Sequence, residues 1–272
     1  MGIKIIAEPA CYFHGDLEVL EDTMLQCIAV GADIFKVQVY DAKYMGNAWK
    51  HKKEFYKNCQ IESDTLISLR KKAEGYGTEL LATVNQPHLV KKIYDAGIRS
   101  IKIASGQISA ILIGAVNEFT WDRVFVSTGM LDSLGTLKLI NYLKSTKEVV
   151  VMHCVSLYPT CEPETNLLRI DSLRNFFKNN ELVTIGYSDH HMDELPSLGA
   201  MFRGATYIEK HIKIDLSFGP TSEIAADMVE LRRMCNLRLR INVMLGDGKL
   251  VMQDREKESY DKYKTRWLTV IV

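Results

Sequence analysis

The sequence predicts a (β/α)8 barrel, an α/β fold of the TIM type, on three observations. Short apolar, β-rich runs recur eight times, each is followed by a longer stretch with helical spacing, and glycine marks the joints where a helix gives way to the next strand. The strand candidates are Lys4 to Ala7, Ile34 to Val39, Glu79 to Val84, Ser100 to Ala104, Val124 to Ser127, Val149 to Val155, Thr184 to Tyr187 and Tyr207 to Ile212. The helix candidates between them are Leu17 to Val30, Ile61 to Tyr76, Pro87 to Asp95, Ile108 to Asn117, Leu134 to Ser145, Asn166 to Lys178, Asp193 to Arg203 and Ser222 to Met244. Joints such as Gly31-Ala32-Asp33, Asp95-Ala96-Gly97 and Arg203-Gly204-Ala205 pass straight from helix to strand, which implies parallel strands. Runs that are apolar at consecutive positions, such as Val149-Val150-Val151-Met152, suit strands covered on both faces. Eight βα units over about 250 residues match a closed barrel better than an open doubly wound sheet. The expected organisation is a barrel over residues 1–250 and a C-terminal extension over 251–272, charged from Asp254 to Lys264 and apolar from Trp267 to Val272. That apolar end is read either as a frayed tail or as a segment docked on a partner subunit. The long connection from Tyr40 to Gln60 is a candidate lid over the mouth of the barrel.

Of the 272 residues 47% are apolar, enough for a real core, which rules out a disordered chain. The 34 Lys and Arg balance 34 Asp and Glu, which argues against a nucleic-acid binder and leaves a small molecule or a protein as partner. The first apolar run stops at Glu8, and no uncharged stretch reaches the roughly 20 residues that span a bilayer, so no membrane association and a cytoplasmic location are expected. The six cysteines show no CxxC spacing and are expected to be reduced and structural.

In such a barrel the active site lies at the carboxyl ends of the strands, so polar residues there carry the functional weight. Those ends supply Glu8, Lys36, Gln38, Thr83, Asn85, Lys102, Ser105, Gln107, Ser127, Thr128, His153, Ser156, Tyr158, Ser188, Asp189, His190, Glu209 and His211. His190 and His211 end adjacent strands, about 4.8 Å apart, and form a candidate metal pair for Mn²⁺, Fe²⁺, Co²⁺ or Zn²⁺. Glu209 shares a strand face with His211, and Asp189 lies beside His190, so oxygen groups are near. His191 is expected to start the next helix and face solvent, His51 and His88 to lie on the surface, and His153 to be a satisfied histidine of the barrel interior. Lys36, Lys102 and Lys210 sit in apolar strands, where an unpaired ammonium is expensive, so something anionic should meet each. Lys210 has the opposite parity to His211 and is expected to pair with a helix-side carboxylate. Lys36 and Lys102, with hydroxyls from Ser105, Ser127, Thr128, Ser156 and Ser188, look like a phosphate and carboxylate cradle. Structural ion pairs or an imine-forming lysine are the other readings of the same pair.

The motifs Ile5-Ile6-Ala7-Glu8, Gly31 through Gln38, Lys102-Ile103-Ala104-Ser105-Gly106, Ser127-Thr128-Gly129-Met130, His153 through Pro159, Gly186-Tyr187-Ser188-Asp189-His190 and Ile208-Glu209-Lys210-His211 occur in one order over nearly the whole chain. Together they resemble the N-acetylneuraminate (sialic acid) synthase family. The resemblance implies a barrel that condenses phosphoenolpyruvate with an aldose or related aldehyde, with a divalent metal, to give a 2-keto-3-deoxy sugar acid. The metal is Mn²⁺ in the first instance, with Mg²⁺, Co²⁺ or Zn²⁺ as alternatives. It also implies metal ligands at His190 and His211, and phosphoenolpyruvate contacts at Lys36, Thr83, Lys102, Ser105, Ser127 and Ser188. Gln38, Ser156, Tyr158 and Asp189 complete the substrate-binding candidates, Glu8, Gln107 and Glu209 are the catalytic ones, and a homodimer is the expected assembly.

The departures from the family pattern fall mostly on the sugar side. Gln107 stands where the family usually has Glu, Tyr12-Phe13-His14-Gly15-Asp16 replaces an Asn-His-Asn-Gly-Asp stretch, and Gly219-Pro220-Thr221 and Ala82-Thr83-Val84-Asn85 differ from their counterparts. Typical members carry an antifreeze-like domain beyond the point where this chain ends, so none is expected here. The resulting expectation is a phosphoenolpyruvate-dependent synthase for an acceptor other than N-acetylmannosamine. A lysine-imine aldolase or lyase, and a barrel that has lost catalysis and serves as a binding subunit, are the competing readings.

Overall fold

All eight predicted strands form and close in sequence order into a parallel barrel in the computed structural model, which describes residues 2–44, 46, 52–214 and 222–263. The strands are β1 (Lys4–Glu8), β2 (Ile34–Val39), β3 (Glu79–Val84), β4 (Ser100–Ile103), β5 (Trp121–Ser127), β6 (Thr146–His153), β7 (Val183–Asp189) and β8 (Tyr207–His211). β5 and β6 start at Trp121 and Thr146 rather than at Val124 and Val149. The polar stretch before each apolar run joins the ladder, with Trp121 opposite Thr146 and Arg123 opposite Glu148.

Helices follow the strands as α1 (Leu17–Ala29), α2 (Lys53–Asn58), α3 (Ser63–Gly75), α4 (Val90–Asp95), α5 (Ala110–Asn117), α6 (Ser133–Tyr142), α7 (Glu162–Thr165), α8 (Leu168–Phe176), α9 (Leu195–Phe202), α10 (Met228–Leu245) and α11 (Glu256–Tyr263). Side-chain oxygens set several starts, because the first turn's N–H groups need acceptors. Asp16 caps α1, Ser109 caps α5, Asp132 caps α6, and Asp227 forms a capping box with Glu230 on α10. α11 buries none of its residues, and the apolar end from Trp267 to Val272 lies outside the described residues. Among the described residues no helix is long and apolar enough to cross a membrane.

Strand alternation divides the molecule into two apolar layers. Ile6, Ile34, Leu81, Phe125, Val150, Met152 and Tyr207 point inward and form their own cluster in the barrel. Residues of opposite parity, such as Ile5, Phe35, Val151 and Ile208, pack outward against the helices. Gly186 makes the inner cluster possible, since a Cβ there would lie 2.3 Å from Met152 Sδ and 2.9 Å from the Tyr207 carbonyl oxygen. Further toward the carboxyl ends of the strands the same inward positions turn polar, and the site lies there.

Candidate active site

A cavity of about 460 Å³ opens at the carboxyl ends of the strands. Glu8, Lys36, Gln38, Thr83, Lys102, Ser105, Gln107, Ser127, Ser156, Tyr158, Ser188, His190, Glu209 and His211 all line it, as does Asn85. Of the strand-end residues expected at the site, Asp189, His153 and Thr128 are elsewhere, the Thr128 hydroxyl donating to the Met152 carbonyl oxygen at 3.3 Å.

The floor is a buried ion-pair network. Lys36 Nζ lies 2.8 Å from Glu8 Oε2 and 2.6 Å from Glu209 Oε1. Lys102 Nζ lies 2.5 Å from Glu209 Oε1 and 3.4 Å from Ser188 Oγ, while Ser188 donates to Glu209 at 3.0 Å. Gln38 Nε2 donates to Glu8 Oε1 at 2.5 Å. The anions that meet the two lysines are thus the protein's own carboxylates, as in the structural ion-pair reading of these residues. Burial alone would raise both carboxyl pKa values, but Lys36 beside Glu8, and Lys102 and Lys36 around Glu209, hold both below the usual range. Burial pulls against both lysines as well. Glu209 and Glu8 outweigh it at Lys36, whose pKa rises, whereas at Lys102 burial and the neighbouring Lys36 charge win and the pKa falls.

His190 and His211 face each other at the rim with ring centroids 6.0 Å apart. His190 Nδ1 lies 2.7 Å from the Val155 carbonyl oxygen, and donation there leaves Nε2 with a free lone pair. Burial, aided by the nearby His211, lowers the His190 pKa to about 3, and burial also lowers that of His211. Both rings are therefore neutral and able to act as ligands near pH 7. His211 Nε2 is 3.8 Å from Glu8 Oε2, and its Nδ1 is buried with no hydrogen-bond partner. Two neutral imidazoles beside a carboxylate suit a borderline divalent cation. Among the described residues no group of three or more His, Cys, Asp or Glu side chains is arranged to hold a metal ion.

The hydroxyls behave differently from one another. Ser105 Oγ and Ser156 Oγ are 2.8 Å apart. They meet because residue 129 is glycine: a Cβ there would fall 2.1 Å from Ser156 Oγ and 3.1 Å from Ser105 Oγ. Thr83 Oγ1 is buried without a partner, as is Glu209 Oε2. Tyr158 stacks on His190 at a centroid distance of 4.1 Å, and Gln107 sits half-buried in the turn Ser105–Gln107 that follows β4.

Several expectations need correction. Asp189 points away from the cavity toward the helices, where Ser197 and the His191 N–H bind it and Lys210 Nζ lies 3.3 Å away. Lys210 thus meets a carboxylate on the helix side of the sheet, as expected, though one carried by β7, and the His191 and Asp193 carbonyl oxygens join it at 2.5 and 2.9 Å. His191 is buried, not solvent-facing, because its backbone belongs to this knot. His153 has outward parity and binds the Thr165 carbonyl oxygen through Nε2 at 2.8 Å, so it lies between sheet and helices and not in the barrel interior. His88 is exposed as expected, while His51 and Thr221 lie outside the described residues. The stretch Tyr12 to Asp16 does not line the cavity; Phe13 is core and Asp16 caps α1. Cys11, Tyr56, Met130 and Cys154 line the cavity without having been singled out. Cys11 and Cys154 closely follow strand ends and were findable by position. Tyr56 comes from α2 in the long connection, part of which, including Met45 and residues 47–51, lies outside the described residues.

Closed parallel topology with buried lysines, carboxylates and imidazoles converging at the carboxyl ends of the strands defines a (β/α)8-barrel enzyme. The chain belongs to the NeuB family, whose profile matches residues 24–250. It is 27% identical to the N,N'-diacetyllegionaminic acid synthase of Legionella pneumophila over 94% of this chain and 77% of that protein. It is 26% identical to the pseudaminic acid synthase of Campylobacter jejuni, over 93% of this chain and 78% of that one. Among solved structures, the sialic acid synthetase of Leptospira borgpetersenii superposes with a TM-score of 0.88 at 26% identity, covering 98% of this chain and 93% of that one.

Proposed function

We propose that the chain is a synthase that joins C3 of phosphoenolpyruvate to the carbonyl carbon of an aldose, adds water at C2 and releases phosphate, giving a 2-keto-3-deoxy sugar acid. Family membership supports the reaction class, and the observation that carries the assignment to this cavity is its reserve of unused polar atoms. Thr83 Oγ1, Glu209 Oε2 and His211 Nδ1 are buried without partners on residues that line one cavity, together with two lysines. Such orphans are costly unless a ligand completes them. Lys36, Lys102 and the hydroxyls of Ser127 and Ser188 would hold the anionic ester against the strand ends and steady the charge of the departing phosphate. Glu8 and Glu209, kept ionised, fix the ammonium groups in place. His190 and His211 would hold a divalent cation, Mn²⁺ first and Mg²⁺, Co²⁺ or Zn²⁺ otherwise, which when bound polarises the acceptor's carbonyl oxygen. Tyr158 keeps the His190 ring oriented and Gln107 faces the acceptor. The exposed apolar side chains Leu239, Val243 and Met244 on α10 support a homodimer.

Incubation with phosphoenolpyruvate, Mn²⁺ and a panel of aldoses should release phosphate with at least one acceptor and yield a product whose mass is that of the two substrates plus water less phosphoric acid. Chelation should stop it, and silence across the panel overturns the reading. The lowered pKa of Lys102 favours a second reading, an imine-forming aldolase. Borohydride with pyruvate would then leave a covalent adduct on Lys102, and chelation would spare the activity. Absence of both signals is the outcome that a binding subunit predicts.

A further inference from the structure

The six thiols are spread unevenly through the fold, and two of them meet at the cavity wall. Cys11 follows β1 and lines the cavity, while Cys59 ends α2, whose Tyr56 lines it too. Both cysteines are buried. The Cys59 side chain hydrogen-bonds to that of Cys11 and lies 3.9 Å from the Cys11 carbonyl oxygen. Further contacts seat the two segments against each other. The Gly15 N–H donates to Cys59, and a Cβ at Gly15, whose φ is +86°, would fall 2.6 Å from the Asn58 carbonyl oxygen. Tyr40 donates to the Tyr56 carbonyl oxygen at 3.1 Å, and its hydroxyl lies 3.3 Å from Cys11 Sγ.

The hydrogen bond from Cys59 outweighs burial and lowers the pKa of Cys11, while the same bond and burial raise that of Cys59. The thiolate is the nucleophilic form, so the thiol that faces the cavity is also the more reactive of the two. The other four stand differently. Cys27 and Cys235 interact with each other away from the cavity, and burial raises both, Cys235 to about 11. Cys161 is exposed, and Glu164 beside it raises its pKa. Cys154 lines the cavity elsewhere, next to Gly129 beyond the end of β5.

We propose that Cys11 and Cys59 form a redox modification site that a small peroxide closes reversibly into a disulfide, pinning the end of α2 to the loop after the strand that carries Glu8. The Cys11 sulfur attacks one peroxide oxygen and the O–O bond breaks. The sulfur becomes a sulfenic acid, and the departing hydroxide takes up the thiol proton as water. The Cys59 sulfur then attacks the Cys11 sulfur, the S–S bond forms as the S–O bond breaks, and hydroxide leaves as a second water with the Cys59 proton. Both sulfurs are oxidised and both peroxide oxygens are reduced. A dithiol returns the two thiols by exchange.

Peptide mapping without reduction tests this, on reduced protein treated with a small excess of hydrogen peroxide and then alkylated in denaturant. The Cys11 and Cys59 peptides should be joined in most chains, two thiols per chain should be lost, and dithiothreitol should restore both. Any other pairing, oxidation of Cys161 or Cys154 in place of this bond, or Cys11 and Cys59 both still open to alkylation overturns the proposal. Cys59→Ser keeps a hydrogen-bond donor beside Cys11 but cannot close the bond. In that variant peroxide with dimedone, which traps sulfenic acids, should label Cys11 about tenfold more than Cys27 or Cys235. Cys11→Ser should leave Cys59 unlabelled. Equal labelling of these cysteines, in a variant with the near-ultraviolet circular dichroism of the folded parent, also overturns it. The readout is the modified residue and not turnover, so the outcome is independent of the synthase reading.

Discussion

Adjacent residues of β7 and β8 build two buried lysine–carboxylate clusters on opposite faces of the same sheet. Outward, Lys210 meets Asp189 and two backbone carbonyls, while Asp189 is further bound by Ser197 and the His191 N–H. Inward, Lys36 and Lys102 meet Glu8 and Glu209, yet Glu209 Oε2 and, on β3, Thr83 Oγ1 have no partner, and both residues line the cavity. The difference teaches that a buried charge does not by itself mark a functional site. A closed network fixes backbone, whereas an incomplete one facing space is arranged for a ligand.

Breaking the outward cluster should have the largest effect, and it should fall on stability. Lys210→Met strands Asp189 in an apolar layer, with an expected loss of about 3–5 kcal/mol by denaturant unfolding. Adding Asp189→Leu should recover most of it, because the two sites share one interaction. A loss under about 1 kcal/mol would show that the knot is not closed in the way described. Breaking the inward cluster should do the reverse. Lys102→Met leaves Glu209 paired with Lys36 and Ser188 and removes an ammonium that burial already disfavours, so stability should hold within about 1 kcal/mol. Turnover in the phosphate-release assay should nonetheless fall about 10²–10³-fold, as for loss of a preorganised electrostatic donor. A variant as active as the parent, or one that melts as early as Lys210→Met, would erase the contrast.

This contrast also marks how far the sequence could be read. Period-two parity placed Glu209 and His211 on one face and Lys210 on the other, because a strand leaves no other choice. It was not extended to Asp189, which follows Ser188 and so must point outward, nor to His153, which follows Met152. The barrel itself was legible because parallel strands buried on both faces announce themselves as apolar runs, while the early starts of β5 and β6 were hidden by Asp122, Arg123, Lys147 and Glu148. Which anion meets each lysine was not legible. Pairing across the barrel, as between Lys102 and Glu209, depends on closure and not on local pattern. Tyr56 escaped for the same reason, since it reaches the cavity from a helix distant in sequence from the strand ends it joins.

His153 sharpens the comparison, because its Nδ1 is a buried orphan on the outward face, away from the strand-end cavity. Burial outweighs the Thr165 carbonyl and lowers its pKa from 6.5 to about 4. Below pH 6.5 the unfolded chain therefore binds a proton that the folded ring refuses. The stability this residue contributes is full above 6.5 and is lost as the pH falls toward 4, by up to about 3 kcal/mol. His153→Gln, which keeps a donor for Thr165 but cannot titrate, should flatten the stability profile across that window in urea unfolding. Phosphoenolpyruvate affinity should stay unchanged, since the ring faces the helices. A profile as steep as that of the parent would place the acid-sensitive group elsewhere.

The smallest effect discriminates most finely, because its two readouts should move in opposite directions. Thr83→Val conserves shape and removes a buried hydroxyl that has no partner in the free protein. Folding stability should therefore hold or rise by up to about 1 kcal/mol, since no hydrogen bond is lost and a desolvated polar atom is relieved. If that hydroxyl is held in reserve for the ester, affinity for phosphoenolpyruvate should drop about tenfold, equivalent to about 1.4 kcal/mol. A purely structural threonine would give the first change without the second. Stability and affinity falling together would mean that Thr83 has a partner in solution, and the unfilled inner cluster would then be no different in kind from the closed outer one.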